Sequence, residues 1–159
     1  MLPKLNSARN DSDSEFLTVE KVIDGFSFKL TTGERVRLLG IENPEKYDTK
    51  KSDDPKSTVN RKQTPGKLAG EYLKWLIEGK KVKLIKEPSY QEKDQNGRLM
   101  RYAYLQDGTF INSKIIKDGY GQVIEGASLS RLNEFKNLQK ESHDSKKGLW
   151  GDVNGAKQF

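Results

Sequence analysis

"KVIDGFSFKL", Lys21 to Leu30, reads as two short extended runs joined at Asp24-Gly25. Asp-Gly between apolar runs is among the strongest short-range hairpin signals. The flanking stretches, "FLTVEKVI" (Phe16 to Ile23) and "FSFKL" (Phe26 to Leu30), supply the β-branched and aromatic residues that suit a pleated, half-buried surface. Phe26 is the odd residue. A surface turn usually takes a polar residue there, and a catalytic hairpin would take an acid. Phe26 therefore marks either a plain structural hairpin or an active site with one part replaced.

Outward from the hairpin, "TTGE" is a second turn and "RVRLLGI", Arg35 to Ile41, a third strand. Residues 42–64 hold no periodic apolar pattern, and the polar loop 46–63 is long enough to be either functional or disordered. "TPGKLAGEYLKWLIEGK" predicts a helix: Thr64 caps it, Pro65 fits its first turn and Gly79 stops it. Leu68, Ala69, Tyr72, Leu73, Leu76 and Ile77 form its apolar face. "KKVKLIKE" is a fourth strand, with Val82, Leu84 and Lys86 on one face, and "GRLMRYAYLQ" a fifth. A short helix spans Ile111 to Lys117, and a longer one about Ser128 to Lys147, with Leu129, Leu132, Phe135 and Leu138 on one side. Gly148, Leu149 and Trp150 stop it and turn back to the core.

Three divisions follow: a disordered polar arm (1–14), one folded domain (15–150) and a flexible tail (151–159). Three strands, a helix, two strands and then helices is the order of an OB-fold. The expected class is α+β, a five-stranded Greek-key β-barrel with three α-helices, and such barrels commonly bind oligonucleotides.

The chain has 159 residues, 33% hydrophobic and 33% charged, with a formal net charge of +6. Its mean hydropathy is −0.87. That supports one small core under a solvated surface, and the basic excess favours polyanionic partners or is simply a lysine-rich surface. With no cysteine there is no disulfide framework, thiolate metal site or thiol nucleophile. The single histidine, His143, stands among charges and reads as a solvated surface residue, which argues against histidine chemistry. No segment approaches the length of a membrane-spanning helix, so no membrane insertion is expected. The first residues have no apolar h-region and do not read as a signal peptide.

"VIDG", "RLLGIENPE", "GKLAGEYLKWL", "DQNGRLMRYAYLQDGTFINSKIIKDGYGQV" and "KKGLW" occur in that order. Each is weak alone. Together they resemble the staphylococcal nuclease-like (thermonuclease) family from about Phe16 to Trp150. The resemblance implies a calcium-dependent phosphodiesterase acting on DNA or RNA, single-stranded or denatured, as a monomer. It implies a phosphate-binding Arg37, a metal ligand at Glu42 where the family has aspartate, a backbone-carbonyl ligand at Asn43 where it has threonine, and a water-activating base at Glu45. Arg98 takes the place of the second phosphate arginine. Catalysis would thus rest on Arg37, Glu45 and Arg98. Magnesium or manganese are the other candidate cations. Secretion or surface anchoring is common in the family.

The hairpin departs from that pattern. The family turn is D-G-D-T, whose second aspartate ligates calcium; here it is "DGFS", with Phe26 at the ligand's place. A carboxylate oxygen about 2.4 Å from a divalent cation gains about 3 kcal/mol even at bulk-water permittivity. Its loss corresponds to roughly hundredfold weaker cation binding. Glu42, with its longer reach, and Asp24 are the compensating ligands. Phe26 itself either stacks a base, as exposed aromatics on OB surfaces do, or packs on the loop. "IEGAS", Ile124 to Ser128, also lacks the aromatics that pack on nucleotide in the family's type member.

The residue types suit the chemistry. In-line attack on a phosphodiester needs a base for water and positive charge around the phosphoryl oxygens, and the planar fork of arginine donates twice to phosphate. The expected function is a nuclease with an altered cation site. The alternatives are a non-catalytic OB module that binds single-stranded nucleic acid, and a protein-interaction domain that keeps the fold alone.

Overall fold

The structure, a computed structural model, describes residues 15–42 and 64–151. Five strands close a barrel in the order β1 (Leu17–Asp24), β2 (Ser27–Leu30), β3 (Arg35–Leu38), β6 (Leu99–Leu105) and β5 (Lys81–Ile85). All ladders are antiparallel except β3 with β6, which is parallel. The expected α+β barrel with three helices is the fold observed. β1 pairs with β2 from Val19 to Asp24 and with β5 through Leu17 and Thr18. Two register shifts along β1 bend it between those partners, as bulges do. Leu84 on β5 is partly buried but Lys86 is exposed, so the proposed three-residue face ends with the strand.

The hairpin forms, one residue out of the expected frame. Phe26 belongs to the turn and not to the second strand, since Asp24 pairs with Ser27. Gly25 does not take a positive φ. Its glycine answers a different need: a Cβ there would come within 2.6 Å of the Ala69 Cβ on the first helix. The hairpin tip thus presses on that helix, α1 (Pro65–Ile77), whose N-cap Thr64 accepts the Lys67 N–H at 3.2 Å. Its predicted apolar face, with Tyr72 and Leu73 at its centre, is buried on the barrel.

The run from Arg35 to Ile41 is not one strand. Gly40 takes φ +84°, and a Cβ on it would lie 2.7 Å from the Phe135 ring. Beyond this break β4 (Ile41–Glu42) pairs with β7 (Gln122–Val123). Buried Asn112 pins the corner. It accepts the Ala103 N–H at 3.0 Å and donates to the Leu39 carbonyl at 2.8 Å. Asn112 belongs to α2 (Ile111–Lys117), and α3 (Leu132–Asp144) packs on α2 through fully buried Phe135. α3 is shorter at both ends than its apolar spacing predicts. It ends in a Schellman arrangement, with Lys146 at φ +54° and the Lys147 N–H on the Ser142 carbonyl at 3.0 Å. Leu149 then returns to the core, as predicted, and His143 is exposed beside Trp150.

Candidate active site

The tip of the β1–β2 hairpin, the end of β3 and the turn before β6 converge at one mouth of the barrel. Asp24 closes the hairpin: its Oδ1 accepts the Phe26 N–H at 3.0 Å and the Ser27 hydroxyl at 2.8 Å. This is the local side-chain-to-backbone closure that makes aspartate a turn residue. Its Oδ2 carries no hydrogen bond among the described residues. The Phe26 carbonyl accepts the Leu38 N–H at 2.8 Å, so the turn is held to β3 as well.

Arg37 stands between Val36 and Leu38, whose side chains are fully buried in the barrel. Alternation along the strand therefore sends Arg37 outward. Its guanidinium lies over the Phe26 ring, 4.7 Å from the centroid. Its Nη1 reaches the Leu38 carbonyl at a long 3.4 Å, and it forms no ion pair with a carboxylate among the described residues. Burial, and next the positive charge of Arg98, pull it below its ordinary pKa, against the opposing influence of Asp24, Asp94 and Tyr90. An arginine still keeps its proton. The result is a partly desolvated cation beside a second cation, with no carboxylate paired to it among the described residues.

Arg98 is held differently. Its Nε donates to Asp94 Oδ2 at 2.7 Å, and its N–H to Asp94 Oδ1 at 2.9 Å. The Asn96 N–H also reaches Oδ1, at 2.9 Å. Burial pushes the Asp94 carboxyl up, but these bonds and the Arg98 charge outweigh it and hold the group below the usual carboxylate range. Arg35 on β3 donates to the Asn96 carbonyl at 2.5 Å and fastens the same turn to the barrel. The stem of Arg98 is thus fixed, and its terminal nitrogens make no hydrogen bond among the described residues.

Of the sequence-predicted site residues, Asp24, Phe26, Arg37 and Arg98 are gathered here. Glu42 stands in β4, with one carboxylate oxygen fully buried. Asn43 and Glu45 lie outside the described residues. Sequence reasoning missed Asp94, although an aspartate opening "DQNGR" is a turn signal in its own right. It also missed Gln122, directly opposite Glu42 in the β4–β7 ladder, whose buried side-chain oxygen has no hydrogen-bond partner among the described residues. Residues directly opposite in a ladder share a face. Hard cations such as calcium take carboxylate and amide oxygens. The Asp24 Oδ2, Glu42 and the Gln122 oxygen match such an ion in donor type, but among the described residues no three histidine, cysteine or acidic side chains cluster to hold a metal. The apolar ring of Phe26 contributes no donor.

The small OB-like barrel carries two guanidinium groups at its mouth, one tethered and one lacking a carboxylate partner among the described residues, an arrangement suited to oxyanions. The chain belongs to the staphylococcal nuclease homologue family, whose model matches residues 35–152. It is 30% identical over 148 residues to a thermonuclease of Staphylococcus intermedius, covering 88% of this chain and 79% of that protein. It is 28% identical over 138 residues to an uncharacterized endonuclease of Escherichia coli O157:H7, covering 85% and 76%. Endonuclease YhcR of Bacillus subtilis (strain 168) is 26% identical over 142 residues, which are 84% of this chain and 11% of that protein. Membership of this family, with relatives named as nucleases, supports a nuclease function in general terms.

Proposed function

We propose that the protein is a divalent-cation-dependent nuclease that hydrolyses phosphodiester bonds of DNA or RNA in single-stranded or denatured form, with a cation site altered at Phe26. The observation that carries this reading is the Arg37 guanidinium, partly buried, within electrostatic reach of Arg98 and without a carboxylate partner among the described residues. Arg98 is paired with Asp94, but Arg37 has no carboxylate partner among the described residues, and two guanidinium groups so placed favour an anion between them. A phosphate diester meets that need with the bidentate geometry arginine recognises.

In this reading Arg37 and Arg98 bind the scissile phosphate and stabilise charge as it builds on the phosphoryl oxygens. Phe26 and Asp94 hold the two guanidinium groups in place. Glu45 is assigned the attacking water, on family resemblance. Asp24 and Glu42, with Gln122 beside Glu42 and the Asn43 carbonyl, are the groups that would hold calcium. When bound, such an ion polarises a phosphoryl oxygen.

The Phe26–Arg37 stack also favours a second reading, a non-catalytic module that binds single-stranded nucleic acid through the same arginines. The experiment that separates the two is cleavage of heat-denatured DNA across calcium, magnesium and manganese concentrations, with EDTA and Glu45→Gln as controls. Cation-dependent cleavage lost in the variant supports the nuclease. Salt-dependent binding with no turnover at any cation level refutes it and leaves the module.

A further inference from the structure

The outer face of the barrel carries a row of cations that the site above leaves unused. Along β3, Val36 and Leu38 are fully buried in the core, so Arg35 shares the outward side with Arg37. Arg35 is the cross-strand partner of Lys29 on β2, and Lys29 is the partner of Lys21 on β1. Three positive side chains thus stand directly opposite one another across three neighbouring strands. Lys21 and Arg35 are exposed, and Lys29 is partly exposed.

Like charges directly opposite in a ladder destabilise it. Little in the fold offsets that cost. Glu20 is the one carboxylate paired to the row among the described residues, 3.9 Å from Lys29 Nζ, and an exposed pair at that distance contributes little. Arg35 donates to the Asn96 carbonyl, a neutral group. Lysines also serve to guard open sheet edges. However, β2 is paired on both sides within a closed barrel and has no edge to guard. The row calls for an anionic partner from outside the chain.

Its position says which one. Two residues of β3 separate Arg35 from Arg37, about 6.7 Å at the rise of a strand, and Lys29 and Lys21 follow at strand spacings of about 4.8 Å. These steps are comparable to the distance between successive phosphates of an extended single strand. A strand with one phosphate on Arg37 can therefore lay its neighbours along the row. We infer that Lys21, Lys29 and Arg35 form a phosphate track on the outer face of β1, β2 and β3, which holds the nucleotides flanking the one bound at Arg37 and Arg98. The inference rests on the phosphate-binding reading above. The ligand is the backbone of a single-stranded polynucleotide, bound through its charge and not its base sequence.

The test compares a labelled thymidylate dinucleotide carrying a terminal phosphate with a labelled thymidylate strand of roughly ten nucleotides, binding being followed by anisotropy in EDTA between about 50 and 200 mM salt. The wild-type protein is expected to bind the longer strand more tightly and with a steeper salt slope. The variant is the double substitution Lys21→Gln and Lys29→Gln; Arg35 stays in place because it fastens the turn that carries Arg98. Each single-strand phosphate contact contributes about 0.7 to the slope, so the double variant should lose about 1.4 on the longer strand. The same exponent makes each contact worth about fivefold at 0.1 M salt, a loss of roughly 25-fold for the two. Its affinity for the dinucleotide should stay within about twofold of wild type, since screening at that salt acts over about 10 Å. Urea unfolding at low salt should find the variant at least as stable as wild type, because two like charges have been removed. A wild-type slope no steeper for the longer strand, or an unchanged slope in the double variant, overturns this inference alone. So does an equal loss on both strands, which would place the lysines within the Arg37 site, or a clear loss of stability, which would assign the row to the fold. Failure of the wild type to bind either strand overturns the phosphate reading and this one with it.

Discussion

Phe26 is the residue at which the family resemblance and the observed geometry make different predictions. As a lost ligand, it should be improved by an acid. As the ring beneath Arg37, it should not be. A guanidinium over an aromatic face is worth about 0.5–1 kcal/mol when exposed and about 2 kcal/mol when desolvated. Arg37 is half-buried, 4.7 Å from the ring centroid. An intermediate value of about 1–1.5 kcal/mol corresponds to a roughly 5- to 12-fold change in affinity. Phe26→Leu keeps an apolar side chain and removes the π face, so it should weaken single-strand binding in EDTA by that factor, while Phe26→Tyr should not. Phe26→Asp places a carboxylate where the ring was. At 4.7 Å and an effective permittivity of 20 the pair would gain about 3.5 kcal/mol, an upper bound that solvent reduces. A substrate phosphate must compete with that pair. Phe26→Asp should therefore bind single strands at least roughly tenfold more weakly in EDTA, and yet half-saturate at lower calcium in a cleavage assay. Anisotropy titrations at fixed ionic strength measure the first effect, and calcium titration of turnover the second. Wild-type affinity in Phe26→Leu, with the fold intact by circular dichroism, would refute the stacking argument. Unchanged affinity in Phe26→Asp would refute the electrostatic one.

Three further outcomes follow from the same geometry. Asp94→Asn keeps the turn-closing oxygen but removes the charge that aligns Arg98. In steady-state kinetics kcat should fall about tenfold without a rise in KM, as expected when a guanidinium keeps its charge and loses its orientation; a raised KM at unchanged kcat would contradict this. Burial pushes the Glu87 carboxyl up, but its hydrogen bonds from Tyr102, Ser130 and Ser89 win and hold it below its ordinary value. Its stabilisation is complete above about pH 5 and is lost as pH falls through the lowered folded value. Urea unfolding should show Glu87→Gln less stable than wild type by roughly 1–3 kcal/mol at pH 7, with the gap narrowing in acid. Lys146 sits at φ +54° where helix ends favour glycine, so Lys146→Gly should gain roughly 0.5–1 kcal/mol and raise Tm by about 2–4 °C in calorimetry.

What the sequence made legible was local. The barrel strands and α1 announce themselves through alternation, an Asp-Gly turn, a Thr-Pro start and a glycine stop, all set by neighbours in the chain. What it concealed depended on distant residues. Gly40 looks like the middle of a strand until Phe135 arrives 2.7 Å from where its Cβ would be. Gly25 looks like a demand for positive φ, whereas its purpose is the approach of Ala69. The site divides in the same way. Arg37 and Arg98 could be found through the family resemblance, which also implied that an acid is missing at position 26. The ring's new task could not, because it arises only once the hairpin register places Ser27 opposite Arg37 and brings Phe26 beneath the guanidinium. An acid at that position would pair with Arg37 unless a cation drew it away. An aromatic ring instead holds the arginine without spending its charge. On the proposed function, the ring at position 26 leaves the Arg37 charge to a substrate phosphate.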